Sequence, residues 1–142
     1  MVYRAVKNSP GFQKDFRLSG QVTGAAVSSM SNIAEGFSRR SNKEFVQFLF
    51  VSKSSATEVQ SESYVALDQE YISNETFEKI YHQAEKVSKI NSGLITYLLQ
   101  NEKKAKELKK LDKPNKLGKR DKPDEPNQLS KPNQLNKLGK LD

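Results

Sequence analysis

Apolar side chains recur at three- and four-residue steps through three successive stretches, and no stretch alternates at every second position. The chain therefore predicts helices and no strands. In the first long stretch Leu18, Val22, Ala25, Ala26, Ser29, Ile33 and Phe37 share one face, giving a helix over about 15–36. Its middle is built of small residues (Gly24, Ala25, Ala26, Ser28, Ser29), which lets a neighbouring helix approach within about 8–10 Å. Gly36 falls where a helix C-terminus is expected. Ser41-Asn42-Lys43-Glu44 then reads as a capping box, with the Ser41 hydroxyl accepting from the Glu44 N–H and the Glu44 carboxylate reaching back to the Ser41 N–H. The helix it opens runs to about Tyr71, with Phe45, Phe48, Leu49, Ser52, Ala56, Val59, Ser63 and Ala66 inward. Phe50, Val51, Tyr64, Val65 and Leu67 lie partly off that face, and a second apolar side predicts self-association.

Ser73 or Asn74 caps the last long helix. Phe77, Ile80, Ala84, Val87, Asn91, Leu94, Ile95 and Leu98 form its stripe, and it continues into Lys103 to Leu111 before Pro114 ends it. Ahead of all three lies a short helical piece, Met1 to Asn8, with Val2, Tyr3 and Val6 on one side, broken by Ser9-Pro10-Gly11. Short connections favour antiparallel neighbours. The fold class is all-α: an antiparallel up-and-down four-helix bundle with a short first helix and a disordered C-terminal tail.

Composition locates the core. All seven Phe and all five Tyr lie at or before Tyr97, and from Glu102 onward the only apolar side chains are Ala105 and seven Leu. The expected organisation is a bundle over 1–101 and a basic low-complexity tail over 102–142, helical at its start and then disordered. Within that tail Pro-Asn-Lys/Gln-Leu recurs at Pro114, Pro126 and Pro132, and Asn-Lys-Leu-Gly-Lys at Asn115 and Asn136. The net charge of +7 is uneven: eleven Lys/Arg stand against ten Asp/Glu up to Asn101, and thirteen against seven beyond it. A basic tail attracts phosphate, or simply stays solvated.

Chemistry is sparse. The chain holds no Cys, so it has neither disulfides nor a thiolate metal site. No stretch approaches the ~20 apolar residues of a membrane span, and no signal-peptide stretch opens the chain, so a cytoplasmic location is expected. His82 is alone on a polar face, without metal-ligand spacing. No phosphate loop or nucleophile elbow occurs. Glu58 and Glu62 stand four apart on one helix, but the Glu-x-x-His partners of a di-metal bundle are missing. These absences point away from catalysis, cofactors and small-molecule substrates.

The most distinctive segment is Ser31 to Arg40. Glu35 and Arg39 are spaced for an ion pair. Asn32 falls beside the inner stripe and needs a hydrogen-bond partner, for which Ser55 and Glu58 on the next helix are candidates. One reading is a structural knot of Asn32, Glu35, Gly36, Arg39, Ser55 and Glu58 that fixes the turn. The other is a basic corner, Arg39, Arg40 and Lys43, that meets phosphate together with Lys103, Lys104, Lys106, Lys109 and Lys110.

With its surroundings the segment resembles the four-helix-bundle proteins associated with intervening sequences in bacterial 23S rRNA. The resemblance runs from about Tyr3 to Leu99. It is carried by S-N-I-A-E-G-F-S-R at Ser31 to Arg39, S-N-K-E-F at Ser41 to Phe45, and Ser55-Ala56-Thr57-Glu58, where that family has a G-S-x-x-E pattern. It implies an up-down bundle assembled as a homopentamer, and a relation to the basic accessory protein of diversity-generating retroelements, which contacts a reverse transcriptase and nucleic acid. No enzymatic activity comes with it. The chain departs from the family in starting near the end of the usual first helix, and in Ser52 and Ser54 where Ala and Gly are favoured. Its near-neutral bundle also differs from the basic retroelement proteins. The expected function is thus a non-enzymatic, oligomeric accessory factor associated with RNA or a ribonucleoprotein; the alternative is a protein-interaction scaffold that binds no nucleic acid.

Overall fold

The computed structural model describes residues 1–111, and within them every regular element is a helix. These are α1 (Val2–Asn8), α2 (Pro10–Lys14), α3 (Phe16–Phe37), α4 (Asn42–Asp68) and α5 (Asn74–Leu111). The all-α bundle expected from the periodicity is what forms. The repeats beyond Leu111 lie outside the described residues.

Local chemistry sets the boundaries. Ser9-Pro10-Gly11 does break α1, but a further helical turn follows it. The Ser9 hydroxyl accepts from the Phe12 N–H at 3.3 Å, and Pro10 stands in the first turn, where its missing N–H costs nothing. The Asp15 carboxylate accepts from the Leu18 N–H at 3.0 Å and opens α3. At α4 the Ser41 hydroxyl accepts from the Glu44 N–H at 3.3 Å, as the capping box predicts. The reciprocal arm differs: the Glu44 carboxylate accepts from the Ser41 hydroxyl at 2.7 Å rather than from the Ser41 N–H. α4 ends at Asp68, three residues before the expected Tyr71. There Glu70 turns into the left-handed region (φ 58°), and the Tyr71 N–H returns to the Ala66 carbonyl at 2.9 Å.

α4 is the central helix, packed along its length against α3 on one side and α5 on the other. α3 and α5 stay apart at backbone level, which leaves a trough between them above α4. α1 fills one end of this trough with Val2 and Ala5. Two apolar clusters result. The upper one joins Phe12, Leu18, Val22, Val59, Ile72, Phe77, Ile80 and Ala84 with α1. Phe12 stacks on Tyr71 at 5.4 Å between ring centroids, and Tyr64, Phe77 and Tyr81 form a second aromatic group. The lower cluster is smaller: Val46, Leu49, Ile95 and Leu98, with Ile33, Phe45 and Leu94 against them.

A polar layer separates the two clusters. Ser52 is fully enclosed; its hydroxyl donates to the Ser29 carbonyl at 2.7 Å and accepts from the Asn91 side-chain amide at 2.8 Å. Ser28 and Ser55 hydroxyls bond at 2.9 Å beside it. Ser52 therefore ties three helices together. Hydrogen bonds inside an apolar bundle fix register, because any slide leaves them unpaired. Gly36 is the penultimate residue of α3, at the expected end of that helix. It also serves packing: a Cβ there would come within 2.6 Å of the Phe48 Cβ, so its absence lets α3 and α4 close on each other.

Candidate nucleic-acid interface

The hydrogen bonds between helices set the levels of the bundle. Ser29, Ser52 and Asn91 share one layer. Gln60 meets Tyr81 one layer higher, so α4 and α5 are antiparallel in constant register. Counting down from that layer, Asn42, the first residue of α4, stands level with about residue 100 of α5. Everything beyond projects past the bundle. Residues 101–111 thus form an overhang of about 16 Å at 1.5 Å per residue.

The overhang emerges beside the α3–α4 turn. Arg39, Arg40 and Lys43 of that turn and Lys103, Lys104, Lys106, Lys109 and Lys110 of α5 therefore gather at the same end of the bundle, although sixty residues of sequence separate the two groups. All eight are exposed. They face four carboxylates at that end, Glu35, Glu44, Glu102 and Glu107. Lys103, Lys106 and Lys110 share one helical face, and Ala105, Leu108 and Leu111 the opposite one.

Not all eight are equally available. Arg39 pairs with Glu35 across one helical turn, as its spacing predicts, and its guanidinium carbon lies 4.6 Å from the centre of the Phe48 ring. Its charge is engaged by an anion and an aromatic face together. Arg40 and Lys43 make no ion pair among the described residues, and Lys106 approaches Glu102 at 3.8 Å. The freer cations of the corner are Arg40 and Lys43.

The proposed knot is only partly brought together. Asn32 does not reach Ser55 or Glu58. Its amide donates to the Ser28 carbonyl at 2.8 Å and the Ser28 hydroxyl at 3.2 Å, one turn back on its own helix. Ser55 joins at second hand, through its bond to Ser28. Glu58 points to solvent. His82 is exposed, with Glu78 at 2.8 Å and Glu85 at 3.7 Å. No cluster of three metal-ligating side chains occurs among the described residues, and no helix there is long and apolar enough to cross a membrane.

Of the two carboxylates four apart on α4, Glu58 is exposed and Glu62 is buried. Glu62 is 9% exposed, and its Oε2 is hidden without a hydrogen-bond partner among the described residues. Burial, with the nearby Glu58 charge adding to it, pushes its carboxyl up to about 7. The spacing carries the signal: Val59, Glu62, Ser63 and Ala66 form one inward stripe.

The SNIAEGFSR segment, the small polar layer and the α3–α4 corner now have a common geometry. A profile of the 23S rRNA-intervening sequence proteins matches residues 1–93. The chain belongs to the 23S rRNA-intervening sequence protein family. A similar solved structure is a Bacteroides thetaiotaomicron protein of unknown function from the S23 ribosomal protein family. It is 26% identical, has a TM-score of 0.60, and the match covers 66% of this chain and 84% of that one. No curated protein matches. The family profile ends in the middle of α5, so the lysine-bearing overhang lies beyond the part that the 23S rRNA-intervening sequence family defines.

Proposed function

We propose that this protein is a non-enzymatic, self-associating accessory factor that binds RNA or a ribonucleoprotein through the basic end of its bundle. The observation that carries the reading is the convergence of Arg40 and Lys43 with the five lysines of the overhang. The opposite end differs: Arg4, Lys7, Lys14, Arg17 and Lys79 are balanced there by Asp15, Asp68, Glu70, Glu75 and Glu78. A charge excess at one end orients a polyanion, whereas a balanced end does not. The family name points to ribosomal RNA as the partner class, and the family resemblance to a five-copy assembly. The relation to retroelement accessory proteins enters the same proposal, since those are basic assemblies that contact nucleic acid.

Phosphate contacts release counterions, so binding weakens steeply as salt rises. Replacing Lys103, Lys106 and Lys110 by Gln removes three cations from one exposed face. In filter retention of a single-stranded 23S rRNA fragment, that variant is expected to lower the slope of log affinity against log salt by about 2, near 0.7 per contact. Affinity and slope equal to those of the unaltered chain would overturn the reading.

A second reading has its own support. The outward face of α3 carries Phe16, Gly20, Val27 and Ala34, and the whole helix holds only two charges, Arg17 and Glu35. A long uncharged outer face suits a protein partner or another copy. Retention of a protein partner that survives moderate salt, with no RNA binding at any salt, would favour a scaffold role.

A further inference from the structure

Lys103, Lys106 and Lys110 belong to a face of α5 that begins inside the bundle. Counting back from Lys103 in steps of four, three and four leads to Leu99, Thr96 and Ser92. α4 carries a matching run, Lys43, Gln47, Phe50, Ser54 and Thr57, in steps of four, three, four and three. Both runs lie on the side where Tyr64 meets Tyr81 at 5.6 Å between ring centroids. Tyr64 stands two turns above Thr57, and Tyr81 three turns above Ser92. α1 touches α5 on another side, at Gln83 and Val87. The strip is therefore made by α4 and α5 alone.

The register found above sets Lys43 beside Leu99 and Phe50 beside Ser92. Helical side chains tilt toward the N-terminus of their own helix, and these helices are antiparallel. Phe50 and Leu99 thus lean toward each other across Thr96. Both are partly open to solvent, at 48% and 41%. Their neighbours are short, and the Thr57, Ser92 and Thr96 hydroxyls donate back to carbonyls of their own helices at 3.1, 2.9 and 3.0 Å. From the level of Phe50 to Lys110 the strip is about 27 Å long. Neither run contains an acidic residue, and Glu102 at the margin approaches Lys106.

We infer that the basic end takes single-stranded RNA, with one unpaired base stacked on the Phe50 ring beside Leu99 and adjoining phosphates on Lys43, Lys103 and Lys106. This rests on the RNA reading above and narrows it to an unpaired strand. A duplex keeps its base faces stacked inside, so an aromatic ring set among cations matches bases that are free. A protein contact at the same place fits less well. Phe50, Val51, Tyr64, Val65 and Leu67, whose spacing suggests self-association, do not form one surface. Leu67 packs on the upper cluster, and Tyr64 on Phe77 and Tyr81. Val51 leans toward α3, one turn from Ser55, and Val65 stands about 22 Å further along α4. The strip keeps one half-exposed ring, far less than the ~800 Å² that each partner gives to a stable protein contact.

The test uses the full chain, which has no tryptophan, so Phe50→Trp introduces a single indole. Its fluorescence is expected to be quenched by a single-stranded RNA that cannot pair with itself, and not by a fully paired RNA of equal phosphate number. Phe50→Ala is expected to weaken single-strand retention about tenfold, as loss of one stacked base does. The slope against salt should stay as it is, because no cation is removed. Phe50→Tyr should restore most of the affinity. An indole that ignores the single strand would overturn the inference, as would equal affinities for Phe50→Ala and the unaltered chain. In either case, salt-dependent retention that still falls with the three lysines would leave the RNA reading standing. A Phe50→Ala chain of smaller solution mass would assign the ring to a contact between copies and overturn the inference. Absence of RNA retention at low salt would overturn both readings together.

Discussion

The two ends of this bundle use the same three long helices and reach different results. At the upper end α1 and α2 fold over the trough, Phe12 stacks on Tyr71, and the aromatics of α4 and α5 interlock. At the lower end the trough stays open, Phe37 and Tyr97 face outward, and lysines replace apolar side chains along α5. The difference lies in what each end has available to cover it. Twelve residues of short helix suffice above, whereas below nothing within the described residues reaches across. One end is therefore suited to stability and the other to contact.

The largest test of that contrast is Phe12→Ala. Phe12 is almost completely buried, and truncating such a side chain costs about 3–5 kcal/mol. A drop of many degrees in the melting temperature, read by circular dichroism, is expected. A loss below about 1 kcal/mol would mean that α2 is not part of the folded core.

A smaller effect concerns the flaw at the closed end. Glu62 is raised from 4.5 to about 7, so the folded state holds its proton more tightly than the unfolded chain. Its contribution is therefore most favourable below pH 4.5, falls as pH rises from 4.5 to 7, and is a constant penalty above that. Glu62→Gln keeps the shape and removes the titration. It is expected to stabilise the protein at pH 8 by about 1–2 kcal/mol, less than the full shift implies because solvent still screens the group in part. At pH 4 the two proteins should unfold at nearly the same denaturant concentration. A pH-independent difference would show that the Glu62 charge is relieved in the fold.

The smallest effect on stability belongs to Phe37→Ala. A side chain this exposed contributes little to its own fold, and a change within about 0.5 kcal/mol is expected in dilute solution. A large loss of stability in the dilute chain would mean that the lower end is closed within one copy.

The sequence reveals the parts of this fold that obey local rules. Helical spacing locates α3 and α5 to within a residue or two, because a stripe of Leu, Val and Ile needs only one buried side to show. The cap at Ser41 is legible because it is made within four residues. What the sequence hides depends on a neighbour's position. Gly36 marks the end of α3 in the sequence, but not that Phe48 packs against it. Asn32 suggests a partner across the interface, but the nearer carbonyl of Ser28 satisfies it. Of the candidate interface, the cations themselves are visible, but not that Arg39 is occupied by Glu35 and Phe48. Their convergence is also invisible, since it follows from the register that Ser29, Ser52 and Asn91 enforce.

The docking of α1 also has a consequence for how the chain is made. α3, α4 and α5 meet in sequence order across short turns, so each pair can close as soon as it exists, and contacts of that kind form quickly. α1 is different. Val2 and Ala5 emerge before α3, α4 and α5, yet the cluster they complete includes Ile80 and Ala84. At about 5–20 residues per second the N-terminus waits roughly 4–15 seconds for that surface to be synthesised. During that interval the apolar faces of α3 and α4 lie open on the nascent chain, and α1, although made before them, docks last.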